Sequence, residues 1–368
     1  MTLKFDRRRF LGAAAAASLF PALGTAASGG LPIVDTHQHL WDLARLRLPW
    51  LDGAGTLNRS HVMKDYLEAT AGLGVVQAVY MEVDVAADQK QAEADQILDI
   101  CRRGDSPTVA AVIGGPVGGE GFAKYIEQFR GSPFIKGVRH LLIRSETRGG
   151  RFFTEQFVQD IRRLGELGMC FDLCISAEEL GDAVRLVDRC PGTRFVLDHC
   201  GNADVQRFRR IATDADARRY ADLWKRQVEA LAERKNVVCK ISGIIAGAPE
   251  DWKPDDLAPI VLHCLASFGP DRAMFASDWP VCTRRASLRQ WVEALRTIVA
   301  GRPEADNRKL FADNARRFYG LPEPSPRKDR QGSNGRRTDN LVRHLGDGQD
   351  CPSYICDPHG FAKPDVTG

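Results

Sequence analysis

The sequence predicts a closed (β/α)8 barrel, an α/β fold, and three observations carry that expectation. Eight short apolar runs rich in Val, Ile and Phe recur from residue 31 onward. Longer segments whose apolar residues return at three and four positions separate them, as helices packed on a sheet require. The span from 31 to 321 is close to the ~250 residues of such a barrel plus modest insertions. Strands alternating with helices argue for parallel pairing through crossover connections.

In chain order the strand-like runs are IVDTHQH (33–39), VVQAVYMEV (75–83), TVAAVIGGP (108–116), IKGVRHLLI (135–143), CFDLCI (170–175), RFVLDH (194–199), NVVCKISG (236–243) and AMFASDW (273–279). They share a pattern and are not internal repeats. KQAEADQILDICRRG and AEELGDAVRLVDRC typify the helices between them. A last helix ending in NRKLFADNARRFYGL closes the series near residue 321.

Two segments fall outside the barrel. Residues 1–29 hold DRRRFLGAAAAASLFPALGTAASGG, with consecutive arginines, Phe10-Leu11, an Ala-rich apolar stretch and small residues. That order resembles a twin-arginine export signal with Arg7 and Arg8 as the pair, so the translocation machinery is an expected partner and the periplasm the expected location. Residues 322–368 begin PEPSPRKDRQGSNGRR, poor in apolar residues and rich in Pro, Ser, Gly and mixed charge, a composition that predicts disorder.

Composition excludes some classes. The 368 residues are 43% hydrophobic and 27% charged, enough for one large core. A formal charge of +3 gives no electrostatic case for a nucleic-acid partner. No apolar run of roughly 18 residues follows the first thirty, so no stable membrane span is expected. Eight of the ten cysteines sit inside apolar segments and read as buried free thiols. Cys351 and Cys356 lie in the polar tail, free to pair; a zinc knuckle from them with His344 and His359 matches no common spacing.

Side chains two apart on a strand point the same way, so Asp35, His37 and His39 are expected on one face at the barrel mouth. Two imidazoles there can grip one cation or orient one water. His199 ends FVLDH, Asp278 ends MFASD, and Arg139 with His140 ends IKGVRH. The carboxyl ends of barrel strands are where such enzymes place their active sites. Singly each has a plain alternative: Asp278 a turn cap, His199 a core histidine, Arg139 an ion-pair partner. Glu82, Asp172, Asp198 and Lys240 read first as internal ion pairs, His263 as packing, and His61 as a loop contact or lid residue.

Taken together, VDTHQHLW, IKGVRH, FDLCI, FVLDHCG, NVVCKISG, MFASDWPVC and DNARRFYGL, in this order, resemble the amidohydrolase superfamily, in its amidohydrolase-2 branch of sugar-acid lactonases and 2-pyrone-4,6-dicarboxylate lactonase. The resemblance spans about 31–321. It implies that His37 and His39 are the first-strand pair, His199 the sixth-strand histidine and Asp278 the eighth-strand acid. It places Arg139 where some lactonases hold a substrate carboxylate or hydroxyl. Metal-loaded relatives carry a fifth-strand histidine, whereas CFDLCISAEEL offers Ser176 near that place and Cys174 inside the strand. Those with two metals carry a bridging lysine or other carboxylate on the fourth strand, which here ends in Arg139 and His140. A two-metal site is therefore not expected; one divalent ion, zinc, on His37, His39 and Asp278, and a metal-free site both stay open.

The function this implies is hydrolysis of a lactone, with Asp278 as the general base on water and His37 and His39 assisting directly or through a metal. Arg139 and His199 would meet the developing oxyanion. The rivals are a metal-dependent decarboxylase of an aromatic or unsaturated acid, and a barrel that only binds a sugar or acid. His140, Trp41, Trp50, Trp279 and Arg144 are the expected pocket residues around a small-molecule substrate, the tryptophans stacking on a sugar face and the arginine meeting an acid.

Overall fold

A computed structural model describes residues 30–143 and 154–324 of the chain. The export segment, Arg144, and the tail with Cys351 and Cys356 lie outside the described residues.

Eight strands form one parallel sheet in sequence order: β1 (Ile33–Gln38), β2 (Val75–Met81), β3 (Thr108–Gly114), β4 (Ile135–Leu141), β5 (Cys170–Cys174), β6 (Arg194–Leu197), β7 (Val237–Ile241) and β8 (Ala273–Phe275). All eight apolar runs are strands, because a residue buried on both faces of a parallel sheet must be apolar at nearly every position. The last is shorter than its run: regular pairing stops at Phe275, and residues 276–279 continue as irregular backbone. That irregular stretch nonetheless joins β1. Asp278 N–H donates to the His37 carbonyl (3.0 Å), His39 N–H to the Trp279 carbonyl (2.8 Å), and Thr36 Oγ1 to the Phe275 carbonyl (2.7 Å).

Each strand is followed by a principal helix: α1 (Met63–Thr70), α2 (Lys90–Arg103), α3 (Phe122–Glu127), α4 (Glu155–Glu166), α5 (Leu180–Arg189), α6 (Ala215–Glu233), α7 (Pro254–Phe268) and α8 (Leu288–Ile298). The stripe on α2, Ala94, Ile97, Leu98 and Cys101, is buried against the sheet at the spacing the sequence shows. Local chemistry fixes the starts: Thr154 caps α4 by accepting the Phe157 N–H, and Ser287 with Gln290 forms a capping box on α8. None of the described helices is long and apolar enough to cross a membrane. All eight cysteines of the described residues are buried and free.

The barrel interior begins as an apolar layer. Val34, Val79, Val112, Cys170, Val196, Val238 and Met274 point inward, and Ala312, Ala315 and Tyr319 of the final helical segment seal them from below. That seal is what DNARRFYGL does: Asn314 Nδ2 donates to the carbonyls of Pro270 and Ala273 (both 2.8 Å), tying the segment to the foot of β8. The carboxyl ends of the strands lie at the opposite end from this seal, and that is the end where barrels of this kind place their active sites.

Candidate active site

Above the apolar layer the inward positions turn polar. Asp172 on β5, Lys240 on β7, Asp198 beyond β6, Glu82 beyond β2, Arg139 on β4 and His37 on β1 are all buried. Burying so many ionisable groups is tolerable only when each is paired, and they are. Lys240 Nζ lies 2.5 Å from Asp172 Oδ2 and 3.2 Å from Asp198 Oδ1. Arg139 Nε donates to Glu82 Oε1 and its Nη2 to the Glu82 carbonyl, both at 2.7 Å. The ion pairs expected of these four charges are thus present, arranged as a floor beneath the histidines.

His37 is the hub of this floor. Its Nδ1 is 3.4 Å from Asp198 Oδ1 and 3.5 Å from Lys240 Nζ, and its Nε2 is 3.1 Å from Arg139 Nη1. Burial holds the imidazole well below the ordinary histidine range, outweighing Asp198, so the ring is neutral. A guanidinium can only donate, so Nε2, at the shorter 3.1 Å contact, is the accepting nitrogen and Nδ1 carries the proton toward Asp198, while the Lys240 ammonium, 3.5 Å from Nδ1, donates to Asp172 instead. Burial alone would raise the Asp198 carboxyl, yet Lys240 and then His37 hold it well below the usual range. Burial likewise opposes the charge on Lys240, and Asp172 and Asp198 reverse that. Burial pushes the Asp172 carboxyl up to about 6, with Lys240 opposing.

His39 and Asp278 face each other over the hub. His39 Nδ1 lies 3.0 Å from the Met81 carbonyl, which fixes the proton there and leaves Nε2 with its lone pair. That Nε2 is 3.3 Å from Asp278 Oδ1, and His37 Nε2 is 3.7 Å from the same oxygen. Asp278 has φ 56°, a left-handed backbone that a non-glycine residue adopts at a cost. His199 shares the trait, at φ 55°. Its Nδ1 is 3.0 Å from Ser242 Oγ and its ring centroid 4.5 Å from that of His37. Gly243 makes the room: at φ +72°, a Cβ on it would come within 2.4 Å of the His199 ring.

Two sets of donors could hold a cation, His37, His39 and Asp278, and His37, Asp198 and His199, with ligand atoms within 4.8 Å of one another in each set. They use opposite nitrogens of His37. In the second set the Lys240 ammonium already lies against both Asp198 and His37, so a cationic group is built in. The first set offers a neutral imidazole, a second imidazole oriented by a backbone carbonyl, and a carboxylate, donors that fit one divalent ion such as zinc. The fifth strand adds no ligand. Burial pushes the Cys174 thiol up to about 12, and Ser176 donates its hydroxyl to Glu179 (2.6 Å).

Several expected pocket residues are elsewhere. Asp35 does not share a face with His37: β1 shifts register between Asp35 and Gln38, and the carboxylate turns to Tyr66 Oη and the Ser277 N–H, both at 2.8 Å. His140 follows Arg139 on a regular strand and so points the other way, its ring 6.1 Å from that of Phe157 on α4. Trp41 and Trp279 are 1% and 3% exposed, so protein occupies the faces expected to stack on a sugar. Trp41 packs edge-on to Trp50 and His61, and Trp279 to His61 and Tyr66. Trp50 donates its indole N–H to the Val83 carbonyl (2.8 Å). His61 is therefore a buried spacer between tryptophans. His263, half-buried on α7, packs on Trp224.

Ser242 and the specific clamp of Glu82 on Arg139 belong to the site without being among the features singled out from sequence. The signal for Ser242 was available: it is the polar residue ending NVVCKIS, as His199 ends FVLDH.

Comparison with known proteins bears on this geometry. The amidohydrolase family model matches residues 34–321. An L-fucono-1,5-lactonase of Burkholderia multivorans is 30% identical over 305 residues, covering 79% of this chain and 97% of that protein. An L-rhamnono-gamma-lactonase of Scheffersomyces stipitis is 24% identical over 336 residues, covering 78% and 98%. Among solved structures, an amidohydrolase from Burkholderia multivorans with bound zinc matches with a TM-score of 0.69 at 23% identity, covering 79% of this chain and 100% of the other; that likeness concerns the fold.

Proposed function

The chain belongs to the amidohydrolase family, and we propose that it opens the lactone ring of a sugar acid by attack of water, with Asp278 as general base. The observation that carries this reading is a carboxylate facing two imidazoles at the carboxyl ends of the barrel strands, Asp278 Oδ1 lying 3.3 Å from His39 Nε2 and 3.7 Å from His37 Nε2. The lactonase relatives supply the substrate class.

His37, His39 and Asp278 would hold one divalent cation, as their donor chemistry fits. The chemistry such an ion supplies when bound is Lewis acidity, polarising the carbonyl and acidifying water. This chain's residues do the rest. The second oxygen of Asp278 would take the proton of the attacking water and return it to the departing ring alkoxide. The hydroxyl of Ser242 fixes the His199 ring, and when it donates to Nδ1 the His199 Nε2–H is directed to the carbonyl oxygen as it gains charge. Arg139 adds positive charge beside the same centre, its guanidinium fixed by Glu82. Bond making and breaking balance: water's oxygen joins the carbonyl carbon, the ring C–O bond breaks, and a hydroxy acid leaves.

Acid release from a panel of 1,4- and 1,5-aldonolactones tests the reading. The wild type should hydrolyse at least one, and Asp278→Asn should lose on the order of 10²–10⁴ in kcat/KM. Full activity in Asp278→Asn would remove it as the base. Inert lactones together with carbon dioxide release from a hydroxybenzoate would replace the lactonase with a decarboxylase.

A further inference from the structure

The lone pair on His37 Nε2 is wanted twice. It accepts from Arg139 Nη1 at 3.1 Å, and it is also the nitrogen that His37 would offer, beside His39 and Asp278, to a divalent ion. One lone pair serves one partner. The arginine is not a loose side chain that merely drifts into place: Glu82 Oε1 and the Glu82 carbonyl each hold it at 2.7 Å, and Asp198 Oδ2 lies 3.9 Å from Nη1. His39 has no such cap. Its Nε2 faces Asp278, and its other nitrogen is spent on the Met81 carbonyl.

We infer that Arg139 competes with the divalent cation for the Nε2 lone pair of His37, and thereby sets how tightly the site holds its metal. The inference rests on the reading of His37, His39 and Asp278 as the metal site. It makes Arg139 a positioning residue that acts through His37, and Glu82 the group that keeps it poised. An ion entering the site must break one charged hydrogen bond and pass close to a fixed positive charge. Loading then frees one guanidinium N–H beside the reacting centre. Metal content would accordingly be exchangeable, in contrast to a site whose three ligands are all open.

The experiment measures zinc affinity, independently of activity, on the full chain stripped with chelator, by competition with a chromophoric chelator. Three proteins are compared: wild type, Arg139→Gln, and the double variant Glu82→Gln with Arg139→Gln. A hydrogen bond to a charged group of ordinary strength corresponds to about a ten- to hundredfold change, so both variants should bind zinc tighter by about that factor. The double variant removes one charge of each sign and replaces both members of a buried pair, so it controls for local charge and for folding. Tightening in the single variant alone would assign the effect to charge and overturn the competition, as would equal or weaker binding in both. Zinc taken up by none of the three, with circular dichroism showing folded protein, would overturn the metal reading and this inference with it. In metal-free protein the His37 Nε2 nitrogen resonance should move on Arg139→Gln; an unmoved resonance would show that no bond to Arg139 exists.

Discussion

Two layers of the barrel interior lie one inward step apart and differ in almost every physical respect. Cys170, Val196 and Val238 belong to the lower layer, sealed by Tyr319. Two residues further along the same strands, Asp172, Asp198 and Lys240 form the upper one. The lower layer needs nothing beyond fitting volumes, and its stabilisation comes from removing apolar surface from water. The upper layer stands against the desolvation of its charges, and is held by pairing alone. Since backbone alternation is shared, the change from one regime to the other takes a single pair of residues per strand. Stability and chemistry can therefore be perturbed separately.

The largest effect is expected in the upper layer. Lys240→Met leaves Asp172 and Asp198, fully buried at 2.5 and 3.2 Å from the lost ammonium, without their cation. Removing one partner of a buried pair costs about 3–5 kcal/mol. Urea unfolding of the variant should show that loss, and pairing it with Asp172→Asn should recover part of it. A cost below about 1 kcal/mol would mean that the layer is not held by pairing.

Met274→Ala sharpens the contrast from below. Met274 is in the lower layer, and truncating it should cost about 2–5 kcal/mol while leaving kcat/KM unchanged. Asp278→Asn, four residues on, should do the reverse. If Met274→Ala also lowered turnover at a temperature where it is fully folded, the two layers would be mechanically coupled and the separation wrong.

The same contrast explains what the sequence allowed one to read. A strand buried on both faces writes itself as an apolar run, which is why all eight strands and the polar residues ending them were visible. Direction was not. Strict alternation would make Asp35 a companion of His37, but the register shift in β1 that turns it to Tyr66 leaves no mark in composition. His140 is adjacent to Arg139 in the chain, but neighbours on a strand point apart. Trp41 and Trp279 are indistinguishable in sequence from tryptophans that face a ligand, since burial is decided by residues distant in the chain. The left-handed backbone at His199 and Asp278 was likewise invisible, as neither is a glycine. Gly243 could have hinted that something bulky approaches it, but not that the neighbour is His199.

A smaller effect separates the charged layer from its surroundings by pH. Glu93 on α2 lies outside the sheet and next to Glu82, accepting from Tyr80 Oη (2.8 Å) and the Val83 N–H (2.7 Å). Burial first, and then the Glu82 charge, push it from 4.5 up to about 7. Glu82 goes the other way: burial would raise it, but Arg139 and Lys90 hold it below its ordinary value. For Glu93 the folded state keeps a proton that the unfolded chain releases, so stability falls as pH rises from about 4.5 to about 7, and the penalty is full above that window. Below about 4.5 both states are protonated and Glu93 contributes no pH dependence. Glu93→Gln copies the protonated form and retains an oxygen for Tyr80 and Val83. Melting temperatures at pH 5 and pH 8 should therefore converge in the variant relative to wild type, with a clearly larger gain at pH 8 than at pH 5. Parallel curves for the two proteins would mean that Glu93 is ionised in the fold, with its charge balanced by Lys90. Glu82 would then share its cations with a second carboxylate, and its hold on Arg139 would be weaker than the two 2.7 Å contacts indicate.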